Sequence, residues 1–137
     1  MIVTGIESFL CRVPVSERAA AHGVSPDIPV TRVTTDAGIT GYEFGPTPPR
    51  VLERVRRLVV GQDPHAIERF VQQGLLDAPS VEVALWDVVG KAAGLPIKHL
   101  LGAARDRILC YLTCVWPGAA DQSDVTYAQQ AADLHYY

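Results

Sequence analysis

Helical patterning is clearest in the segment Ser80-Val-Glu-Val-Ala-Leu-Trp-Asp-Val-Val-Gly-Lys-Ala-Ala-Gly-Leu-Pro-Ile-Lys-His-Leu-Leu-Gly102. Its apolar residues recur at helical spacing along one face, namely Val81, Ala84, Leu85, Val88 and Val89. Ser80 follows Pro79 and is predicted to cap the amino terminus, whereas Gly94 with Pro96 is predicted to end the helix. The segment therefore predicts one long helix, its stop and a short second helix.

Residues upstream of this segment predict an antiparallel meander. Ile2–Val13 alternates in part with a period of two and predicts strand one. The β-branched run Val30–Thr35 predicts strand two, and Ile39–Phe44 predicts strand three after the turn Asp36–Gly38. Residues 16–29 have the composition of a loop and make a long connection between the first two strands.

Two more helices are predicted between the meander and Ser80. Thr47 is expected to cap the first helix, with Pro48 at its first position, and the second is expected over Pro64–Gln73. The residues expected to face inward are Val51, Leu52, Val55, Leu58 and Val59 in the first helix, and Ile67, Phe70 and Val71 in the second. Strands followed by helices are typical of an α+β domain, in which helices cover one face of the sheet.

Composition excludes several classes of protein. The chain has 137 residues, of which 48% are hydrophobic, so a compact domain with a real core is expected. A net charge of −3 provides no basic field for nucleic acid. No apolar run approaches the ~20 residues of a membrane span, and the amino terminus lacks the pattern of a signal peptide. The arginines on the first predicted helix are Arg50, Arg54, Arg56 and Arg57; they are interpreted as a solvated face, with an anion site as the alternative.

Cysteine and histidine spacing argues against a metal site or a disulfide framework. The cysteines are Cys11, Cys110 and Cys114. The last two lie four residues apart on one predicted strand, about 13 Å from each other, which is too far for a disulfide. Reduced thiols and a cytoplasmic location are therefore expected. The histidines His65, His99 and His135 have no second ligand at metal spacing.

The order of residues in the segment Ser80–Gly102 also matches a family signature. The run Ala84-Leu-Trp-Asp87, then Gly90-Lys91, Gly94-Leu-Pro96 and Leu100-Leu-Gly102, resembles the signature of the mandelate racemase and muconate lactonizing enzyme family, a branch of the enolase superfamily. Gly61-Gln-Asp-Pro64 and the strands upstream come in the order that this family requires. The resemblance covers essentially the whole chain.

The resemblance implies an α+β capping domain followed by the start of a barrel. Residues 1–106 are expected to form the enolase-like amino-terminal capping domain, and residues 107–137 the first strand and helix of a truncated (β/α) barrel. Residues 107–137 are far fewer than the ~250 of a complete barrel. The predicted fold class is therefore α+β: a three-stranded antiparallel meander, a helical bundle and the first β/α unit of an incomplete TIM-like barrel.

The resemblance implies candidate substrate contacts but no catalytic or metal-binding residue in this chain. His22 lies in the long first loop, which in the family folds over the open end of the barrel; an inconsequential loop histidine is the alternative. Tyr42 and Glu43 lie at the end of strand three, which faces the substrate pocket in the family, although Gly41-Tyr-Glu-Phe departs from the common Gly-x-Gly-Glu pattern. A solvated carboxylate is the alternative for Glu43. Trp116 would lie at the carboxyl end of the first barrel strand.

The long helix that is predicted to begin at Ser80 and to end at Gly94 is here called the signature helix. Its polar and aromatic residues are given structural interpretations. Asp87 and Lys91 stand four apart, acidic residue first, and predict an ion pair and not acid–base chemistry. Trp86 is predicted to pack between helices or against the barrel, because its large apolar surface is costly to expose.

The function implied is the capping portion, serving as lid and specificity element, of a magnesium-dependent enzyme that abstracts the proton α to a carboxylate. An acid-sugar dehydratase is favoured over a racemase. Magnesium is implied for the full-length family and is not expected to bind this chain alone, which is expected to be inactive. The expected partners are a small carboxylate such as an acid sugar and further copies in a homo-oligomer, with no nucleic acid and no membrane. The alternative is a non-catalytic binding or oligomerisation module, in which the apolar edge at residues 108–115 pairs with another chain.

Overall fold

The computed structural model describes residues 1–17, 20 and 24–109, and its strands form one antiparallel sheet. β1 is Val3–Arg12, β2 is Asp27–Thr35 and β3 is Thr40–Glu43. They lie side by side in the order β1-β2-β3, so the predicted meander is confirmed.

Strand β2 begins at Asp27, ahead of the β-branched run that predicted it. Pro29 lies inside the strand, opposite Leu10 of β1. The pairing of β2 with β3 ends at Thr31 and Glu43, before it reaches Pro29. Successive residues of a strand direct their N–H groups to opposite neighbours. The N–H of Thr35 donates to Ile39 on the β3 side, so Thr31 and Pro29, which have the same parity, also face that side. The missing N–H of Pro29 therefore removes no hydrogen bond from the ladder with β1.

Helices follow β3 and cover one face of the sheet. α1 is Pro49–Val59, α2 is Ile67–Gln72, α3 is Pro79–Ala93 and α4 is Ile97–Leu100, and a 3₁₀ turn at Leu75–Asp77 precedes α3. Gly94, with a φ of +65°, ends α3 in the left-handed conformation that glycine adopts without strain. The long helix, its stop and the short helix that were predicted from the segment Ser80–Gly102 are all present. No helix among the described residues is long and apolar enough to cross a membrane.

The core lies between the sheet and the first three helices. Its main buried side chains are Val3, Ile6 and Val33 of the sheet, Leu52, Val55 and Val59 of α1, Ile67 and Phe70 of α2, and Val81, Ala84, Leu85 and Val88 of α3. The predicted stripe of α3 is confirmed, and Trp86 packs against this core while partly exposed. In the shorter helices, Val51, Leu58 and Val71 are only partly buried, because they lie at the margin of the layer.

Both predicted amino-terminal caps are wrong. α1 begins at Pro49 with Pro48 at the cap position, and α3 begins at Pro79, so that Ser80 lies inside the helix; neither helix has a side-chain cap bond. Proline suits the first helical position because its missing N–H has no partner there in any case. The hydroxyls of Thr47 and Ser80 bond to other elements, as described below.

The turn before α2 also differs from the prediction, because α2 begins at Ile67 and not at Pro64. The carboxylate of Asp63 accepts the backbone N–H of His65 at 3.0 Å and lies 2.8 Å from the His65 ring nitrogen. The backbone hydrogen bond and then the ring contact lower the pKa of Asp63 below its ordinary value. This local turn competes with helix formation over residues 63–65.

The chain divides into two compact units, Met1–Ala104 and Arg105–Tyr137. In the second unit residues 105–109 are described, and residues 107–109 form no strand. The rest of the predicted barrel strand and the whole predicted barrel helix lie outside the described residues.

Contact between α3 and β3 is closest at Gly41. A Cβ atom at this position would lie 2.0 Å from the carbonyl oxygen of Ala84 and 2.8 Å from a methyl group of Val88. Only a residue without a side chain allows the helix to lie this close to the strand. Gly41 faces the backbone of Ala84, so the signature helix and strand β3 meet at a glycine and an alanine.

We expect Gly41→Ala to destabilise the fold by about 3 kcal/mol, because α3 must move away from β3 and its core contacts loosen. Gly38→Ala is the matched control: nothing lies within 4 Å of its added Cβ, and its φ is +75°. Backbone strain alone should cost the control about 1 kcal/mol. Urea denaturation of both variants measures the difference, and equal losses would contradict the close-contact explanation.

Candidate functional site

The segment of residues 42–48, here called the β3 end segment, is held by buried hydroxyl groups. The Thr31 hydroxyl of β2 donates to the carbonyl oxygen of Gly45 at 2.9 Å, and its oxygen lies 3.0 Å from the hydroxyl oxygen of Thr47. The backbone N–H of Thr47 donates to the Ser8 hydroxyl of β1 at 3.1 Å. Thr31 and Thr47 are both buried, and the contact between their two hydroxyl groups is shielded from water.

Helix α3 holds the same segment from its other side. The Ser80 hydroxyl donates to the carbonyl oxygen of Pro46 at 3.3 Å. Gly45 leaves the room for this contact, because a Cβ on Gly45 would lie 2.5 Å from the Ser80 hydroxyl oxygen. The β3 end segment is therefore positioned by strands on one side and by the signature helix on the other.

The predicted Asp87–Lys91 ion pair is present, and it also bonds the open edge of β3. The Lys91 ammonium lies 2.6 Å from the Asp87 carboxylate. That carboxylate accepts the backbone N–H of Tyr42 at 2.9 Å, and the ammonium donates to the carbonyl oxygen of Thr40 at 2.8 Å. One donor and one acceptor from α3 thus take the place that a fourth strand would occupy.

Tyr42 and Glu43 lie on opposite faces of β3. Tyr42 pairs with Arg32 across the ladder, and Glu43 pairs with Thr31. Successive residues of a strand point to opposite faces of the sheet. Glu43 therefore shares the helix-covered face with Thr31, whereas Tyr42 lies on the open face with Arg32. The structure does not bring the two predicted site residues onto one surface of the strand.

Cations and aromatic rings alternate in a row across the open face, here called the cross-strand row. It consists of Phe9 on β1, Arg32 on β2, Tyr42 on β3 and Lys91 of α3 at the outer edge. The guanidinium carbon of Arg32 lies 5.5 Å from the centre of the Phe9 ring, and the Lys91 ammonium lies 5.1 Å from the centre of the Tyr42 ring. Glu7 bonds Arg32 at 2.6 Å and raises the pKa of its guanidinium.

The other two predicted site residues, His22 and Trp116, lie outside the described residues. The base of the loop that contains His22 is described. There Arg12 and Asp27 form a two-bond ion pair of 2.8 and 3.1 Å, and the N–H of Val13 donates to the carbonyl oxygen of Pro26 at 2.8 Å. Asp27 raises the pKa of Arg12. The strands β1 and β2 thus remain paired up to the start of the loop.

Two of the α1 arginines, which were predicted to form a solvated helix face, bond to other elements. Arg56 donates from Nε to the carbonyl oxygen of Ile6 on the outer edge of β1 at 2.9 Å. Arg54 donates to the carbonyl oxygen of Gly74 at 3.1 Å and to Asp77 at 2.9 Å. Both side chains remain partly exposed, but they join α1 to the sheet and to the 3₁₀ turn.

The described residues form no magnesium site. Within residues 1–17, 20 and 24–109, no group of three or more His, Cys, Asp or Glu side chains could hold a metal ion. Asp87 lies beside a lysine and Glu7 beside an arginine, so these carboxylates are engaged in ion pairs. The donor set for a hard divalent cation, which is several converging oxygen atoms, is not assembled among them.

The bond between Asp87 and the Tyr42 amide can be tested directly. We expect Asp87→Ala to destabilise the fold by about 1–2 kcal/mol and to accelerate hydrogen exchange at the Tyr42 amide, because the edge of β3 loses its acceptor. Asp87→Asn should retain much of the protection, since its amide oxygen still accepts. Asp77→Ala removes an exposed ion pair and should cost less than about 0.5 kcal/mol. Exchange measured by NMR would contradict the assignment if Tyr42 were unprotected in the unmodified chain.

Comparisons with a family model and with individual proteins all identify the same family. The model of the mandelate racemase / muconate lactonizing enzyme amino-terminal domain matches residues 14–102. A D-galactonate dehydratase family member from Pseudarthrobacter chlorophenolicus is 35% identical over 92 residues, which is 53% of this chain and 22% of that protein. A D-mannonate dehydratase from Novosphingobium aromaticivorans is 30% identical over 125 residues, which is 77% of this chain and 29% of that protein.

Solved structures agree with the sequence relatives. A mandelate racemase/muconate lactonizing enzyme from a marine actinobacterium, solved in complex with magnesium, has 30% sequence identity and a TM-score of 0.54; the match covers 77% of this chain and 33% of that one. This chain therefore spans about a quarter to a third of the length of these relatives. The matched region includes all of the described sheet except β1, together with every helix from α1 to α4. The chain belongs to the mandelate racemase and muconate lactonizing enzyme family of the enolase superfamily, as its amino-terminal domain.

Proposed function

We propose that this chain is the capping portion of a magnesium-dependent acid-sugar dehydratase, and that it closes over the substrate and sets substrate preference. The observation that carries the proposal is that hydrogen bonds from the sheet and from α3 fix the position of the β3 end segment. The hydroxyls of Ser8 on β1 and Thr31 on β2 hold it from the sheet, and Ser80 and Asp87 hold it from α3. A segment that must meet a substrate reproducibly needs this kind of support from packed elements.

The chemistry proposed for the whole enzyme is removal of the proton α to a carboxylate followed by loss of water. A D-galactonate dehydratase family member and a D-mannonate dehydratase among the relatives support an acid sugar as substrate. The part assigned to this chain is to cover the pocket, exclude water and contact the substrate through the first loop, with His22, and through Tyr42 or Glu43. We assign the metal and the general bases to the later barrel strands of the family, since this chain spans about a quarter to a third of the length of its relatives.

Only one of Tyr42 and Glu43 is expected to contact the substrate, because the strand directs them to opposite faces. Glu43 lies on the same face of the sheet as Ser8 and Thr31, whose hydroxyls hold the β3 end segment. Tyr42 is engaged with Lys91 in the cross-strand row. We therefore favour Glu43 as the substrate contact, with its carboxylate accepting hydrogen bonds from sugar hydroxyls. Trp116 remains a proposed pocket residue.

We expect the chain of residues 1–137 alone to exchange no α-proton of D-galactonate or D-mannonate for deuterium in the presence of magnesium, because the proposed base lies elsewhere. ¹H NMR in deuterated water measures the exchange. Exchange above that of a chain-free control would contradict the assignment of the bases.

A chimera tests the capping role itself. Residues 14–102 would replace the matching segment of the Pseudarthrobacter relative, and we expect the chimera to retain α-proton exchange while kcat/KM for its acid sugars changes by about tenfold or more. A second chimera that transfers only residues 49–78, from α1 to the residue before α3, should leave kcat/KM nearly unchanged. Equal effects of the two chimeras would contradict a specificity role for the loop and the β3 end segment.

A non-catalytic binding or oligomerisation module is the second candidate function. In the second unit the adjacent apolar residues Ile108 and Leu109 are exposed. Exposed apolar groups close together favour contact with another surface. A tight complex formed by the isolated chain with no effect of either chimera on kcat/KM would support this candidate over the first.

A further inference from the structure

We propose that Thr31 is a positioning residue: its hydroxyl fixes the backbone of Gly45, and through Gly45 it fixes the place of the Glu43 side chain. Thr31 is fully buried on the helix-covered face of β2, two residues before the core residue Val33. A valine would fill the same space without a polar group, and a buried hydroxyl costs free energy unless it is hydrogen-bonded. The hydroxyl at this position therefore points to the bonds that it makes.

The bonds of the Thr31 hydroxyl have one direction. A hydroxyl group has a single hydrogen to donate and can also accept. The carbonyl oxygen of Gly45, 2.9 Å away, can only accept, so the hydrogen of Thr31 points to it. The hydrogen in the 3.0 Å contact between the hydroxyls of Thr31 and Thr47 must then come from Thr47. Thr31 is the central member of this series of bonds, which runs from Thr47 to Gly45 and is here called the hydroxyl chain.

Gly45 connects the hydroxyl chain to the proposed substrate contact. A Cβ atom on Gly45 would lie 3.8 Å from Cγ of Glu43, so the stem of the Glu43 side chain lies beside the Gly45 backbone. Glu43 also pairs with Thr31 across the ladder, on the same face of the sheet. A shift of Gly45 away from Thr31 therefore moves the surface beside which Glu43 lies. The effect on substrate binding rests on the proposed function, whereas the hold of Thr31 on Gly45 does not.

Paired valine substitutions separate this hold from stability. Thr31→Val removes both bonds and leaves the Thr47 hydroxyl buried without a partner, so we expect it to lower the urea denaturation midpoint most. Thr47→Val removes one bond and leaves only an unused acceptor on Thr31, so it should lower the midpoint less. The double variant contains no orphaned hydroxyl, and its midpoint should lie above that of Thr31→Val alone. Gly45 still lacks its donor in the double variant.

Hydrogen exchange of the Thr47 amide in the isolated chain reports the position of the segment, because this amide donates to the Ser8 hydroxyl only while the segment stays in place. We expect Thr31→Val and the double variant to accelerate this exchange by about tenfold or more. Thr31→Ser retains the hydroxyl and should change it little. The Tyr42 amide, which α3 holds independently, should keep its exchange rate. Unchanged exchange at Thr47 in Thr31→Val would overturn the proposal.

Thr35→Val is the matched control, because it removes another buried hydroxyl from the same strand. Thr35 is 7% exposed, and its hydroxyl donates to the carbonyl oxygen of Ile39 at 2.8 Å, before the start of β3 and away from the β3 end segment. This variant should lower the urea midpoint and leave the exchange of the Thr47 amide unchanged. Equal acceleration by Thr35→Val would overturn the proposal, since a general loss of stability would then explain both results.

The chimera that carries residues 14–102 tests the consequence for substrate binding. Thr31→Val and the double variant should each raise KM for the acid sugar by about tenfold, while kcat changes less, because the Glu43 contact weakens in the ground state and the transition state alike. Thr31→Ser and Thr35→Val should leave KM nearly unchanged. A KM that recovers with stability in the double variant would overturn the positioning role. Faster exchange at Thr47 with an unchanged KM would instead contradict the proposed substrate contact of Glu43.

Discussion

The packing of α3 directly on the backbone of β3 is the constraint from which the rest of the domain follows. Gly41 and Ala84 allow a separation at which any larger side chain on the strand would overlap the helix. At that distance the helix side chains reach the backbone of the strand, and Asp87 and Lys91 bond to its edge. The same approach brings Ser80 against the β3 end segment. Three features of the site thus depend on one close contact.

Both edges of the sheet are bonded by helix side chains in the same way. Arg56 of α1 donates to the outer edge of β1, and the Asp87–Lys91 pair bonds the outer edge of β3. Unpaired strand edges invite pairing with other chains. The side chains of Arg56, Asp87 and Lys91 therefore occupy backbone groups that would otherwise be free to pair with another chain.

Much of the fold could be predicted from the sequence because periodicity reports burial. The strands and helices were predicted by type and order, and the stripe of α3 was predicted residue by residue. The caps could not be, because Thr47 and Ser80 fit the local pattern of a cap while their hydroxyls bond to residues distant in sequence. The start of α2 differed for the opposite reason, since a local turn at Asp63 competes with the helix.

For the site, the sequence predicted positions better than roles. The Asp87–Lys91 pair follows from spacing, but its bonds to β3 involve backbone atoms, which leave no trace in the identity of Thr40 or Tyr42. Strand alternation at Tyr42 and Glu43 was the available signal that these neighbours point to opposite faces. Arg56 could not be distinguished from its neighbouring arginines, because only the packed helix shows which one reaches Ile6. His22 and Trp116 stay predictions.

Anchoring through backbone atoms has a consequence for how this domain can diverge. Because α3 recognises the amide of residue 42 and the carbonyl of residue 40, those bonds make no demand on which side chains the strand carries there. Mutation can therefore alter the chemistry displayed by the outermost strand while its placement stays constant. A lineage under selection for a new small molecule could explore replacements at these sites without first repairing the scaffold.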